Sequence, residues 1–154
     1  AGYTAFCCAQ CEGRDLWQTP LLLPLLLAQA VTAGGATYAV LDVFMDLPEQ
    51  DAIAWVLLGG VVATGAFVWM ELASHGSRHV ELAVETMTHG RYARPFWVGG
   101  ITVGLVVPGA IAILVLATDI SSPAPLAAAG IAAVAGLFAH ADAFVRAGQS
   151  VPLS

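Results

Sequence analysis

The sequence predicts an all-α integral membrane protein. It would be a four-helix up-down bundle, with the end of a preceding helix before it and an amphipathic helix on the cytoplasmic side. Three observations predict this. Hydrophobic residues make up 58 % of the 154 residues and charged residues only 10 %, with a mean hydropathy of +0.80, far outside the soluble range. Four apolar stretches each supply the ~20 residues that a bilayer core requires of a helix. The basic residues Arg14, Arg78, Arg91, Arg94 and Arg146 fall only in every second polar segment, while the other segments hold Asp46, Glu49, Asp51 and Asp119. Short arginine-bearing loops stay on the cytoplasmic face. The pattern therefore predicts a multi-pass protein of a bacterial-type inner membrane with those loops cytoplasmic.

The elements follow in chain order. Residues 1–11 are apolar but too short to cross, and they read as the exit of a helix whose earlier half precedes this sequence. No basic region stands before the apolar stretch as in a signal peptide. The spans are placed at residues 20–45, 53–73, 96–118 and 125–145, each uncharged through its middle. The links at residues 47–51 and 119–124 are so short that neighbouring helices must run antiparallel. Trp17, Trp55, Trp69 and Trp97 fall near span ends, where amphipathic rings favour the headgroup level.

The long connection, residues 75–95, is the only sizeable polar segment. Val80, Ala83, Val84 and Met87 recur there at helical spacing, with Arg78, Glu81 and Glu85 opposite, as in an amphipathic helix at the interface. Gly90 ends it and Pro95 starts the next span. It is either a solvated connector or a docking surface for a partner subunit. Glycines deep in the spans, among them Gly34, Gly35, Gly59, Gly60, Gly100, Gly104, Gly130 and Gly136, predict close helix contacts. Pro24 and Pro108 are expected to kink their spans.

Ionisable groups in or near a span are costly and thus candidates for function. Asp42 and Asp46 lie one turn apart at the outer end of the first span, and Glu71 and His75 one turn apart at the inner end of the second. His140 and Asp142 approach the inner end of the fourth, with Arg146 one turn beyond Asp142. A carboxylate one turn from a histidine can share a proton near neutral pH, so these six are proton-relay candidates. The competing reading is that groups this near the surface reach water, and that Asp142 and Arg146 form an interfacial ion pair. Cys8 and Cys11 have ligand-like spacing, but a closed metal site takes about four ligands, and the only other cysteine is Cys7. Packing thiols is the favoured reading, with no metal. The net charge of −6 implies no nucleic-acid partner, and nucleotide-binding and hydrolase motifs are absent.

Several motifs carry a resemblance. Tyr3-Thr4-Ala5-Phe6, then Gly13-Arg14-Asp15-Leu16-Trp17-Gln18-Thr19-Pro20-Leu21-Leu22-Leu23-Pro24, then Glu71, Gly90-Arg91-Tyr92, Phe96-Trp97, Pro108 and Arg146-Ala147-Gly148-Gln149 resemble, in that order, the polysulfide reductase membrane-subunit (NrfD/PsrC-like) family. The likeness covers nearly the whole chain and matches the family's second helix bundle. It departs at Ala5, where the family has glycine, and at Cys7, Cys8 and Cys11, which are ordinary apolar or small positions there. The resemblance implies a quinone-interacting membrane anchor that binds no redox cofactor covalently. Menaquinone or ubiquinone would be its substrate and lipids its surroundings. Its implied partners are a four-cluster ferredoxin-type iron–sulfur subunit, a molybdopterin catalytic subunit and other membrane subunits. The family's quinone pocket lies mainly in its first bundle, and Tyr3 is the position that matches near it. A purely structural anchor and a small proton channel or transporter are the alternative readings.

Overall fold

The computed structural model describes residues 2–10, 15–45, 47, 49–74, 78–118, 120 and 122–150. Helix α1 (Gly2–Ala9) is followed by a single 3₁₀ turn (Asp15–Gln18), α2 (Leu22–Met45), α3 (Gln50–Ala73) and α4 (Arg78–Thr88). A π-wound segment (Pro95–Val106) runs directly into α5 (Val107–Thr118), and α6 (Ala124–Ser150) closes the chain. No strand occurs among the described residues. Four helices are long and apolar enough to cross a membrane: Leu22–Met45, Gln50–Ala73, Pro95–Thr118 and Ala124–Ser150. The protein is thus a multi-pass membrane protein. In lipid the backbone can satisfy its polar groups only within such helices or a closed barrel.

The spans close a ring in which α2 packs on α3, α3 on α5, α5 and the π-wound segment on α6, and α6 on α2. Contact positions fall along one helix as they rise along its neighbour. Thr32 meets Thr64 and Gly35 faces Leu57, while Gly104 faces Gly136 and Gly100 faces His140. All neighbours are therefore antiparallel, and Arg78, Arg91, Arg94 and Arg146 gather at one end of the bundle. Arg14 lies outside the described residues.

Close backbone approach holds the ring together. A Cβ on Gly104 would stand 2.7 Å from Gly136 Cα, one on Gly130 would stand 2.5 Å from the Ala36 carbonyl oxygen, and one on Gly60 would stand 2.8 Å from Thr32 N. In lipid, where apolar burial drives little association, such contacts carry the packing. Not every expected glycine takes part. Gly34 and Gly59 face open space, because adjacent helical residues point about 100° apart and only Gly35 and Gly60 turn inward.

Pro24 lies in the first turn of α2, where a missing N–H costs nothing, so it opens the helix rather than interrupting it. Pro108 sits where the π winding gives way to α5. There Val107 N–H still donates to the Thr102 carbonyl, and the register change coincides with a residue that has no N–H to offer. The link between α2 and α3 is held by Asp42 Oδ1, which accepts Leu47 N–H at 2.8 Å. Glu49 adopts the left-handed conformation, φ 64°, just before α3.

At the arginine-bearing end α4 lies against α6, the 3₁₀ turn and the π-wound segment. It buries Ala83, Met87 and Thr88, the face anticipated from spacing together with Thr88. Trp97 Nε1–H donates to the Thr88 carbonyl at 2.9 Å. This ties the next span to the end of α4. Gly90 is required by proximity, since a Cβ there would stand 2.7 Å from the Thr86 carbonyl oxygen.

Candidate functional site

The polar interior is sparse, and most of it lies toward the arginine-bearing end. Thr32 and Thr64 share a buried hydrogen bond at 3.1 Å between α2 and α3, and Thr32 also donates to the Ala28 carbonyl at 2.9 Å. One turn from Thr32 toward the arginine end, Gln29 on α2 reaches across to His140 on α6, with Gln29 Nε2 3.3 Å from His140 Nδ1. The carboxamide and the imidazole thus share a hydrogen bond whose donor is set by the imidazole tautomer.

His140 is buried at 6 % exposure, and its Nε2 has no hydrogen-bond partner. Phe144, one turn on, stacks at 6.3 Å with the planes 14° apart, and Phe96 from the π-wound segment lies at 5.8 Å. Gly100 makes this position possible, since a Cβ there would stand 3.2 Å from His140 Cβ.

Beside this pair is a cavity of about 210 Å³. It is lined by Thr4 and Cys8 of α1, Trp17 of the 3₁₀ turn, Leu25 and Gln29 of α2, and His140, Phe144 and Val145 of α6. Trp17 is seated because Gly148 has no side chain. A Cβ at Gly148 would run into the indole.

The other anticipated residues are distributed as follows. Glu71 is buried at the arginine end of α3 at 3 % exposure, with Oε1 unpartnered. Its main-chain oxygen accepts both Ser74 N–H and Ser74 Oγ–H. Asp142 is exposed and paired with Arg146 at 2.7 Å, the ion-pair alternative. Asp42, at the far end, is committed to the Leu47 turn. Tyr3 is 83 % exposed on α1 and does not line the cavity, whereas its neighbour Thr4 does. Asp46 and His75 lie outside the described residues, as does Cys11. Cys7 is exposed and Cys8 partly buried. Among the described residues no cluster of three or more His, Cys, Asp or Glu could hold a metal ion.

Sequence reasoning missed Gln29, Thr32 and Thr64. A signal existed for Gln29, because a lone carboxamide deep in an apolar run requires an interhelical partner. The identity of that partner, 111 residues away, had no local trace.

The fold and its polar interior define a membrane-embedded helical subunit. More particularly, residues 1–152 match the family described as Polysulphide reductase, NrfD. The chain belongs to that family, whose members are membrane subunits of quinone-linked oxidoreductase complexes. No curated protein and no solved structure matches it.

Proposed function

We propose that this chain anchors an oxidoreductase complex in the membrane and exchanges electrons between a quinone pool and an extrinsic iron–sulfur subunit. The observation that carries the reading is the family match over residues 1–152. The fold supports it through one end that gathers the arginines and is covered by α4, whose outer face carries Glu81 and Glu85 beside Arg78. That end is the docking face for a ferredoxin-type subunit of four clusters, with a molybdopterin subunit beyond it. It faces the cytoplasm, since short arginine-bearing loops are retained there.

Reducing a quinone to a quinol consumes two electrons and two protons. The buried groups available for proton transfer are Glu71 and His140, each with one unpartnered side-chain atom. One observation favours a second reading, a purely structural anchor: Tyr3, the position that resembles a quinone contact, stands outside the cavity and is 83 % exposed. Purification from the native membrane through a tag on the iron–sulfur partner tests the docking face. The chain should co-purify, and Arg91→Glu with Arg94→Glu should release it. Undiminished co-purification of that double variant would rule out this face.

A further inference from the structure

We infer that Arg91 and Arg146, brought together around Tyr92 at the arginine-bearing end of the bundle, form a binding site for the phosphate of an anionic phospholipid. Its acyl chains lie along the apolar surface beneath. The inference goes beyond the quinone-linked reading and does not depend on it.

The turn after α4 builds the site. Tyr92 is half-buried there and packs against the core cluster that includes Met87 and Phe96. Arg91 holds its guanidinium over the Tyr92 ring, 5.3 Å from the centroid. Arg146, near the end of α6, lies within electrostatic reach of the same tyrosine. Two cations far apart in sequence are thus held around one ring, and Arg94, also exposed, stands a turn beyond Arg91. Their charge is only partly answered by the protein. Among the described residues the ion pair at this patch joins Arg146 Nε to Asp142 Oδ1 at 2.7 Å. That bond engages one of the five N–H donors of the guanidinium. The planar fork of arginine matches two oxygens of a phosphate at once.

What lies below the arginines identifies the partner. About one turn deeper than Arg94 the span exposes Trp97 and Val98, at 43 % and 58 %, and about two turns deeper than Arg146 α6 exposes Phe138 at 73 %. Trp97 is held at that level by its bond to the Thr88 carbonyl, as suits an indole among lipid headgroups. A cationic rim above exposed apolar side chains fits a molecule that is anionic at one end and hydrocarbon at the other. An acidic water-soluble protein would answer the arginines alone. The cytoplasmic leaflet, on whose side arginine-bearing loops are retained, is also the one that carries a negative surface potential.

The test is a titration of phosphatidylglycerol into the full chain in a neutral detergent, with phosphatidylcholine of the same chains as the reference. Native mass spectrometry reads the fraction of protein that retains lipid. Wild type should retain phosphatidylglycerol in clear preference. Arg91→Gln and Arg146→Gln should each weaken that retention about fivefold, and together they should remove the preference. Arg78→Gln removes the same charge at the opposite end of α4 and should change little. Tyr92→Phe keeps the ring and should bind as wild type does. Asp142→Asn releases Arg146 from its carboxylate and should tighten binding, a gain that a misfolded variant cannot mimic. Circular dichroism melts establish that each variant is folded.

Equal weakening by Arg78→Gln and Arg146→Gln would overturn the site, since that describes net charge alone. Equal retention of the two lipids by wild type would do the same, as would full displacement by free glycerol 3-phosphate, the mark of a site for soluble phosphates. Unchanged retention in the Arg91→Gln, Arg146→Gln double variant would also overturn it. If Arg91→Glu with Arg94→Glu still releases the iron–sulfur partner in that case, the arginines serve protein docking and the quinone-linked reading stands.

Discussion

Replacing Gly104 by alanine probes one of the closest backbone contacts in the bundle. The new Cβ would stand 2.7 Å from Gly136 Cα and 3.0 Å from its carbonyl carbon, while ordinary contact begins at 3.4 Å. Both obstacles are backbone, so no rotamer change relieves them. The π-wound segment and α6 must part locally by the difference between 3.4 and 2.7 Å, about 0.7 Å. A radial gap of that size forfeits a quarter to a half of each dispersion contact along the seam. Overpacking of this kind costs about 1–3 kcal/mol, roughly 5- to 150-fold in the folding equilibrium. Gly59→Ala and Gly34→Ala are the internal controls, because nothing lies within 4 Å of a Cβ at either position. They should be neutral or slightly stabilising, alanine being the better helix former by up to about 1 kcal/mol. Thermal unfolding in a mild detergent, followed by circular dichroism, separates the cases. Equal losses in Gly104→Ala and Gly59→Ala would refute the packing argument, since propensity and bulk are the same in both.

Further outcomes follow from the same geometry. Asp42→Ala should destabilise the protein by about 1–2 kcal/mol by removing the acceptor of Leu47 N–H, whereas Asp42→Asn keeps an acceptor and should lose much less. Proton uptake impaired equally by both would point to a relay instead. Thr64→Val should cost about 0.6 kcal/mol, the average worth of an interhelical hydrogen bond in a membrane, measured by the same melts. Asp142→Asn should leave the melting midpoint unchanged, because both partners of its ion pair with Arg146 are exposed and such pairs contribute little. In a background lacking Cys7, Cys8 and Cys11, an impermeant thiol reagent should reach Arg91→Cys and Arg146→Cys from one side of sealed vesicles. It should reach Asp51→Cys and Ser122→Cys from the other.

The spans were legible because lipid imposes one requirement on every position between its two surfaces. Their ends were less so. Helix α3 starts at Gln50 and α6 continues to Ser150, past the apolar limits at residues 53 and 145, because a helix need not stop where the hydrocarbon does. The face of α4 was legible from periodicity, since Val80, Ala83, Val84 and Met87 have one side to hide. The winding of Pro95–Val106 was not, because π and α turns accept the same apolar residues. Nor could spacing divide the glycines into those facing a neighbour, such as Gly60, and those facing outward, such as Gly59. The Gln29–His140 pair is a tertiary fact. His140 drew notice as an ionisable group in a span, but its hydrogen bond to Gln29, its aromatic neighbours and the cavity exist only once α2 and α6 are side by side.

The most direct measurement is electron delivery from a reduced short-chain quinol to the iron–sulfur partner, followed by electron paramagnetic resonance. Nanodiscs carrying the complex would be compared with the partner subunit alone. The account predicts cluster reduction that requires this chain and is blocked by quinone-site inhibitors. Reduction that is equally fast without the chain, or absent in the intact complex, would contradict it.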